Sequence, residues 1–452
     1  MGTLLVKNIH TLVTMDDARQ EIAGGALFIR DNVIEQVGPS EALPPAADDM
    51  LDLRGRHIVL PGLVNTHHHF FQTLTRAVPA AQNCDLFGWL QTLYPIWETL
   101  TSEGVYASTQ MAAAELMLSG CTTASDHLYL FPNDCQLDDE IRAAQDIGIR
   151  MHASRGSMSV GESAGGLPPD SLTEKESEIL KDSQRLIEQY HDNNRHAMTR
   201  MVLAPCSPFS VTPDLMRESA AMARAYPGVR LHTHLAENKS DVDYSLEKFG
   251  MRPGDYAKSV GWLGEDVWHA HCVQLSDDAI AQFAKTGTGV AHCPCSNMRL
   301  ASGIAPLRKM LAQGVPVGIG VDGAASNDGS NLLQEARTAF LLARVRDQDA
   351  AAITARETLE VATRGGARVL GRDDIGYLAP GMSADFVAFD IDTPELVGSH
   401  HDVVAALIFC QPRGVAYSFI NGKKVIDQGQ LLTVDLRKLV ETCNRLAKVM
   451  VG

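Results

Sequence analysis

Eight nearly continuous apolar segments, each followed by a stretch of helical spacing and charge, constrain this chain more than any other feature. They are 57–69 (HIVLPGLVNTHHH), 121–127, 149–154, 200–208, 229–237, 267–273, 289–297 and 315–323. A strand that is apolar on both faces must be covered on both, as parallel strands beneath crossover helices are. Stretches such as LDDEIRAAQDIG and SDDAIAQFAKTG carry the spacing of those helices. Eight strand–helix units predict an α/β fold, a (β/α)8 TIM barrel, with its reactive groups at the carboxyl ends of the strands.

The two ends of the chain read differently from the middle. Residues 1–60 and 376–452 are short apolar runs broken by Asn-Gly and Asp-Asn turns, the signature of hairpins. Neither piece can bury a sheet face alone. The expectation is one small, discontinuous β-sandwich built from both ends, with a terminal helix, flanking a barrel over 61–375. The Gly-, Ser- and Pro-rich segment 156–171 predicts a mobile loop at the active mouth.

Bulk composition excludes several functions. Thirty-nine Lys and Arg face 55 Asp and Glu, a net charge of −16, which argues against a nucleic-acid surface. No apolar run approaches the roughly 18 residues of a membrane span. The nine cysteines are scattered and mostly lie in apolar stretches, so reduced thiols in a cytoplasmic protein are expected. Self-association is left open.

Polar residues concentrate where the strands finish. His67 and His69 close the first segment, His234 the fifth, His271 the sixth and Asp322 the eighth. A His-x-His pair on a strand turns both imidazoles to one face. Convergent imidazoles with one carboxylate suit zinc, with ferrous iron also suited. A lone histidine at a strand end is more often a hydrogen-bonded core residue; the joint placement of the set is what favours a metal. His68 should point away. His232 and His269 each precede a candidate by two residues on the same predicted face, and only nearness to the strand end favours His234 and His271. Glu237, three residues past His234, could address the same water as an acid/base group, or could simply cap a helix.

The segments PGLVNTHHHFFQTLTR, HLAE, HAHCVQLS, HCPCSNMRLASG, GVDGAASND and GYLAPGMSADFVAFD resemble the amidohydrolase superfamily. The likeness is to its deaminase and triazine-hydrolase branch, and it covers essentially the whole chain. It implies one divalent metal on His67, His69, His234 and Asp322. It further implies that His271 bonds the attacking water and the attacked centre, that Glu237 shuttles protons, and that Asp322 also accepts the first proton. The fourth strand ends LAPCSPFS, without the lysine or glutamate that bridges two metals in other members, so one metal is expected.

Two departures narrow the expected substrate. Branch members acting on adenosine-type nucleosides carry "PIE" and "PHSP", whereas this chain reads PIW (95–97) and PCSP (205–208). Trp97 cannot accept hydrogen bonds from a ribose, but its face can cover a planar ring. A free heterocyclic base is therefore expected. The 155–172 segment and Gln72 look closest to bacterial 8-oxoguanine deaminases, which implies conversion of 8-oxoguanine to urate and ammonia. Gln72, Arg155, Cys206, Ser207 and Asn297 are the candidate ring contacts beside Trp97. A triazine chloro- or aminohydrolase, or a deaminase of guanine, isocytosine or a pterin, is the rival within the reaction class. A non-catalytic barrel scaffold is the rival outside it.

Other motif matches fail on context. GIGVDG (318–323) lies within a strand segment rather than a strand-to-helix turn, so it is no dinucleotide fingerprint. GESAG (161–165) is followed by Gly166, Pro168 and Pro169 instead of a helix, which rules out a nucleophile elbow. The CPC at 293–295 lacks the spacing of the cytidine-deaminase zinc motif.

Overall fold

A computed structural model describes residues 2–452 of the chain. Eight parallel strands close into a barrel: Leu63–Asn65, Cys121–Leu128, Arg150–Ser157, Thr199–Pro205, Arg230–Leu235, Val267–His271, Gly289–His292 and Val317–Ile319. The last pairs back onto the first, Ile319 opposite Asn65. Helices cover the outside, bounded by the caps their sequences encode. Leu137–Ile147 ends on Gly148 at φ +85°. Asp277–Thr286 starts where the Ser276 side chain accepts the Ala279 N–H, and stops at Gly287. Val64, Val202, Trp268, Ala291, Ala367, Val369 and Leu370 plug the lower end of the barrel.

Both chain ends join one further sheet, in the order Gln430–Leu431, Lys423–Asp427, Tyr417–Ile420, Phe386–Asp390, His57–Pro61, Thr3–Val13, Glu21–Arg30, Val33–Pro39. The seam between the ends is the antiparallel pair His57–Pro61 and Phe386–Asp390. This sheet has its own apolar core, including Val6, Ile9, Leu27, Ile34, Val59, Phe386 and Phe419. Beneath it, Arg150 of the third barrel strand makes a bidentate bond to Asp385, at 2.8 and 2.9 Å, with both side chains buried.

The first predicted strand is two strands. His57–Pro61 belongs to the terminal sheet, and only Leu63–Asn65 belongs to the barrel. The division falls at Gly62, where a Cβ would lie 2.0 Å from the Thr122 hydroxyl oxygen. Only glycine lets the backbone cross between the two sheets at that distance. The continuous apolar run concealed the division because both halves are buried. No helix of the described residues is long and apolar enough to cross a membrane.

Candidate metal centre

Backbone bonds at the carboxyl ends of the first and eighth strands bring the polar residues together. Thr66 N–H donates to Ile319 O at 2.9 Å and Asp322 N–H to His67 O at 3.1 Å. Asn65 Oδ1 accepts the Val321 N–H at 2.9 Å. Asp322 then takes a left-handed turn at φ +63°, and its carboxylate accepts from Gly323 N–H at 2.7 Å and Ser326 Oγ–H at 3.2 Å.

The side chains converge on one point. Asp322 Oδ1 lies 3.3 Å from His67 Nε2 and 3.4 Å from His69 Nε2. His69 Nε2 lies 3.1 Å from His234 Nε2. His271 Nε2 is 3.9 Å from Asp322 Oδ2 and 3.5 Å from Glu237 Oε2.

Outer partners set the tautomers. His69 Nδ1–H donates to His127 O at 2.7 Å and His234 Nδ1–H to Cys206 O at 2.6 Å. His232 Nδ1–H donates to Trp268 O at 3.1 Å, which leaves its Nε2 to accept from His67 Nδ1–H at 2.8 Å. His271 Nδ1–H donates to Asn297 Oδ1 at 3.0 Å. Each imidazole therefore turns an Nε2 lone pair inward. Burial keeps the rings of His67, His69, His232 and His234 neutral: it pushes His234 down to about 3 and His67 well below the usual histidine value.

A divalent metal fits this donor set. The lone pairs of His69 and His234 face each other at 3.1 Å with no proton available between them. A cation relieves that repulsion, and two nitrogens on a tetrahedral zinc sit about 3.3 Å apart. His67 Nε2 is buried and makes no hydrogen bond. His67, His69, His127 and His234 form one group of donors within 4.8 Å of one another, and His67, His271 and Asp322 form another.

A cavity opens above the cluster. Gln72, Cys206, Ser207, Glu237, His271 and Asp322 line it, together with Trp89, Tyr94 and Tyr129. Glu237 is buried, its Oε1 has no partner, and burial above all pushes its carboxyl up to about 7. The Gln72 amide donates to Tyr129 Oη at 3.3 Å, while its Oε1 is unpartnered.

Three expected ring contacts lie elsewhere. Trp97 is fully buried behind the cavity, packed on Phe71 and Trp89, with its indole N–H on Thr75 Oγ1 at 3.1 Å. Trp89, on the same helix, lines the cavity instead and is anchored by its N–H to Ala325 O at 3.1 Å. Arg155 is consumed by Glu174, Asp182 and Gly156 O and stacks over Phe131. Asn297 holds His271 and does not line the cavity. Segment 156–171 also contributes no lining residue, and it folds as two 3₁₀ turns, Glu162–Ala164 and Asp170–Leu172.

The paired histidines resolve by backbone geometry. His271 sits at φ +69°, which breaks the two-residue alternation of its strand. His269 therefore contacts Trp262 and Phe283 outside the barrel rather than sharing the face of His271. His68 turns away, donating to Ser330 Oγ at 3.0 Å and accepting the His69 N–H. His127, stacked on His234, is a cluster histidine that no motif singled out, and its sequence signal is a histidine on a barrel strand; His232, the alternative to His234 on its strand, instead accepts from His67.

The Amidohydrolase family model matches residues 58–425. The 8-oxoguanine deaminase of Pseudomonas aeruginosa PAO1 is 46% identical over 95% of this chain and 96% of that protein. Hydroxydechloroatrazine ethylaminohydrolase of Pseudomonas sp. strain ADP is 36% identical over 98% and 95%. Among solved structures, atrazine chlorohydrolase TrzN from Arthrobacter aurescens TC1, complexed with zinc, superposes with a TM-score of 0.93 at 32% identity, covering 99% of this chain and 100% of that one. An adenosine deaminase from Xanthomonas campestris with bound zinc gives 0.88 at 28%, covering 99% and 98%.

Proposed function

The chain belongs to the amidohydrolase family and is a hydrolase acting on C–N bonds; from that premise we propose that it deaminates a free oxopurine-type base, 8-oxoguanine, to urate and ammonia. The observation that carries this reading is the pairing of Glu237 with His271 at 3.5 Å, beside the donor cluster and at the floor of the cavity. The 46% relative named for that substrate supports the choice of base.

His67, His69, His234 and Asp322 would hold one divalent metal. Zinc is favoured by the nitrogen-rich donor set and by the zinc in related structures. When bound there, such a metal supplies a water acidic enough to act as a nucleophile near neutral pH.

The residues of the chain do the remaining work. Asp322 Oδ2 accepts the first proton from the attacking water. His271, its Nδ1–H fixed by Asn297, directs Nε2 toward the oxygen entering at the amino-bearing carbon. Glu237, poised near neutrality by burial, delivers a proton to the adjacent ring nitrogen and then to the departing amine. Water adds to the carbon, the C–N bond breaks, and ammonia and the oxo product remain. Trp89 and Tyr129 wall the planar ring, and Gln72 offers an amide edge to it.

A cytoplasmic setting fits the nine free thiols. The 36% relative keeps a triazine-ring hydrolase as the second reading. Ammonia release from 8-oxoguanine, guanine, isocytosine and isoxanthopterin, set against alkylamine release from alkylamino-hydroxytriazines, decides between them. The highest kcat/KM is expected for 8-oxoguanine, and a higher value for a triazine overturns the choice.

A further inference from the structure

The opposite end of the barrel carries a second cluster of buried polar groups. Arg150 and His152 start the third strand, Arg200 the fourth and Arg230 the fifth, and Arg372 enters from the segment that plugs the barrel floor. His152 and Arg200 stand opposite each other in register. His152 and Arg150 are completely buried, and Arg372 and Arg200 are 5% and 8% exposed.

The negative charges there are already used. Asp385 is held by Arg150 at 2.8 and 2.9 Å, and Asp374 by Arg372 at 2.7 and 2.8 Å. Arg200 has only the Gly371 carbonyl, at 3.3 Å, and its Nε has no partner. Arg230, partly exposed and near the Asp266 and Glu265 carboxylates, bonds the carbonyls of Glu265 and Val369, and its Nε is unpartnered. Arg372 Nη1 and both ring nitrogens of His152 complete the set of buried polar atoms lacking partners. Asp374 is bonded to Arg372 and the exposed Asp373 to Arg195, so Arg200 makes no ion pair of its own; a buried guanidinium without one is costly, and the usual remedy is a counter-charge. The strain is visible in Arg200, which burial and the neighbouring Arg372 push down to about 10.

We propose that the floor of the barrel binds a small inorganic anion of halide size between Arg200, Arg372 and His152. The available donors are single N–H groups from separate segments, which suit a spherical ion better than a carboxylate or phosphate that expects paired contacts. The site lies at the end of the barrel opposite the metal cluster, so the anion serves stability rather than turnover.

Crystals soaked in bromide, measured at the bromine absorption edge, test the proposal directly. The expected result is an anomalous peak within bonding distance of Arg200 and His152. Thermal unfolding in chloride against gluconate at equal ionic strength supplies a second reading. A saturable rise in Tm specific to chloride is expected for the native chain, and its disappearance in Arg200→Met. No bromide at the barrel floor, or a Tm equal in both salts, overturns the proposal. The bromide map needs no variant, so the test survives if Arg200→Met fails to fold.

Discussion

His67 and His232 are joined nitrogen to nitrogen, Nδ1 to Nε2 at 2.8 Å, and His232 is itself anchored to Trp268 O. This relay determines which nitrogen of His67 faces the cluster. His232→Leu removes it while roughly keeping the volume. Metal affinity, measured by chelator competition, is expected to fall about 10–100-fold with the four inner donors intact. Unchanged affinity would mean that His67 needs no orienting partner.

Glu237→Gln keeps the shape of the side chain and removes its proton transfer. Metal content should stay at the native level while kcat drops about 10²–10⁴-fold. A variant with normal turnover would remove Glu237 from the proton path.

Trp89 and Trp97 differ in what they touch. Trp89→Leu should raise KM for the base, because Trp89 lines the cavity, and should also lower Tm, because its ring is buried and its N–H bonds Ala325 O. Trp97→Ala should cost about 3–5 kcal/mol in denaturant unfolding, because it empties a fully buried aromatic site. Matching KM effects would contradict this division.

Asp126 and Glu140 are buried carboxyls, with Asp126 Oδ2 and Glu140 Oε1 lacking other partners. Burial pushes Asp126 upward, and burial together with Asp126 pushes Glu140 upward. Folded carboxyls that titrate above their unfolded values bind more protons than the unfolded chain. Their contribution to stability is therefore complete below about pH 4 and declines as pH rises through and past neutrality. Glu140→Gln should flatten that decline relative to the native chain. Parallel stability–pH curves for the two proteins would contradict the assignment of that decline to this buried pair.

The barrel, its eight strands and the residues at their carboxyl ends were legible because buried parallel strands read as unbroken apolar runs that stop where chemistry begins. The same property hid the break at Gly62, since both sides of it are buried and only the close approach of Thr122 reveals it. The expectation of Trp97 at the ring rests on residue type alone; the helix Leu86–Trp97 turns Trp89 to the cavity and Trp97 behind it, a rotation set by packing. Arg155 looked available for substrate because Glu174 and Asp182, its partners, lie 19 and 27 residues further along the chain. The separation of His269 from His271 depended on one left-handed residue, which no alternation pattern encodes.

The most direct measurement is an anomalous difference map of the native protein at the zinc or iron edge, with metal content determined on the same preparation. One equivalent of metal is expected, as a single peak ligated by His67, His69, His234 and Asp322, with Glu237 and His271 facing it. A peak elsewhere, two peaks at the cluster, or none in catalytically active protein would contradict a single-metal hydrolase built on these four residues.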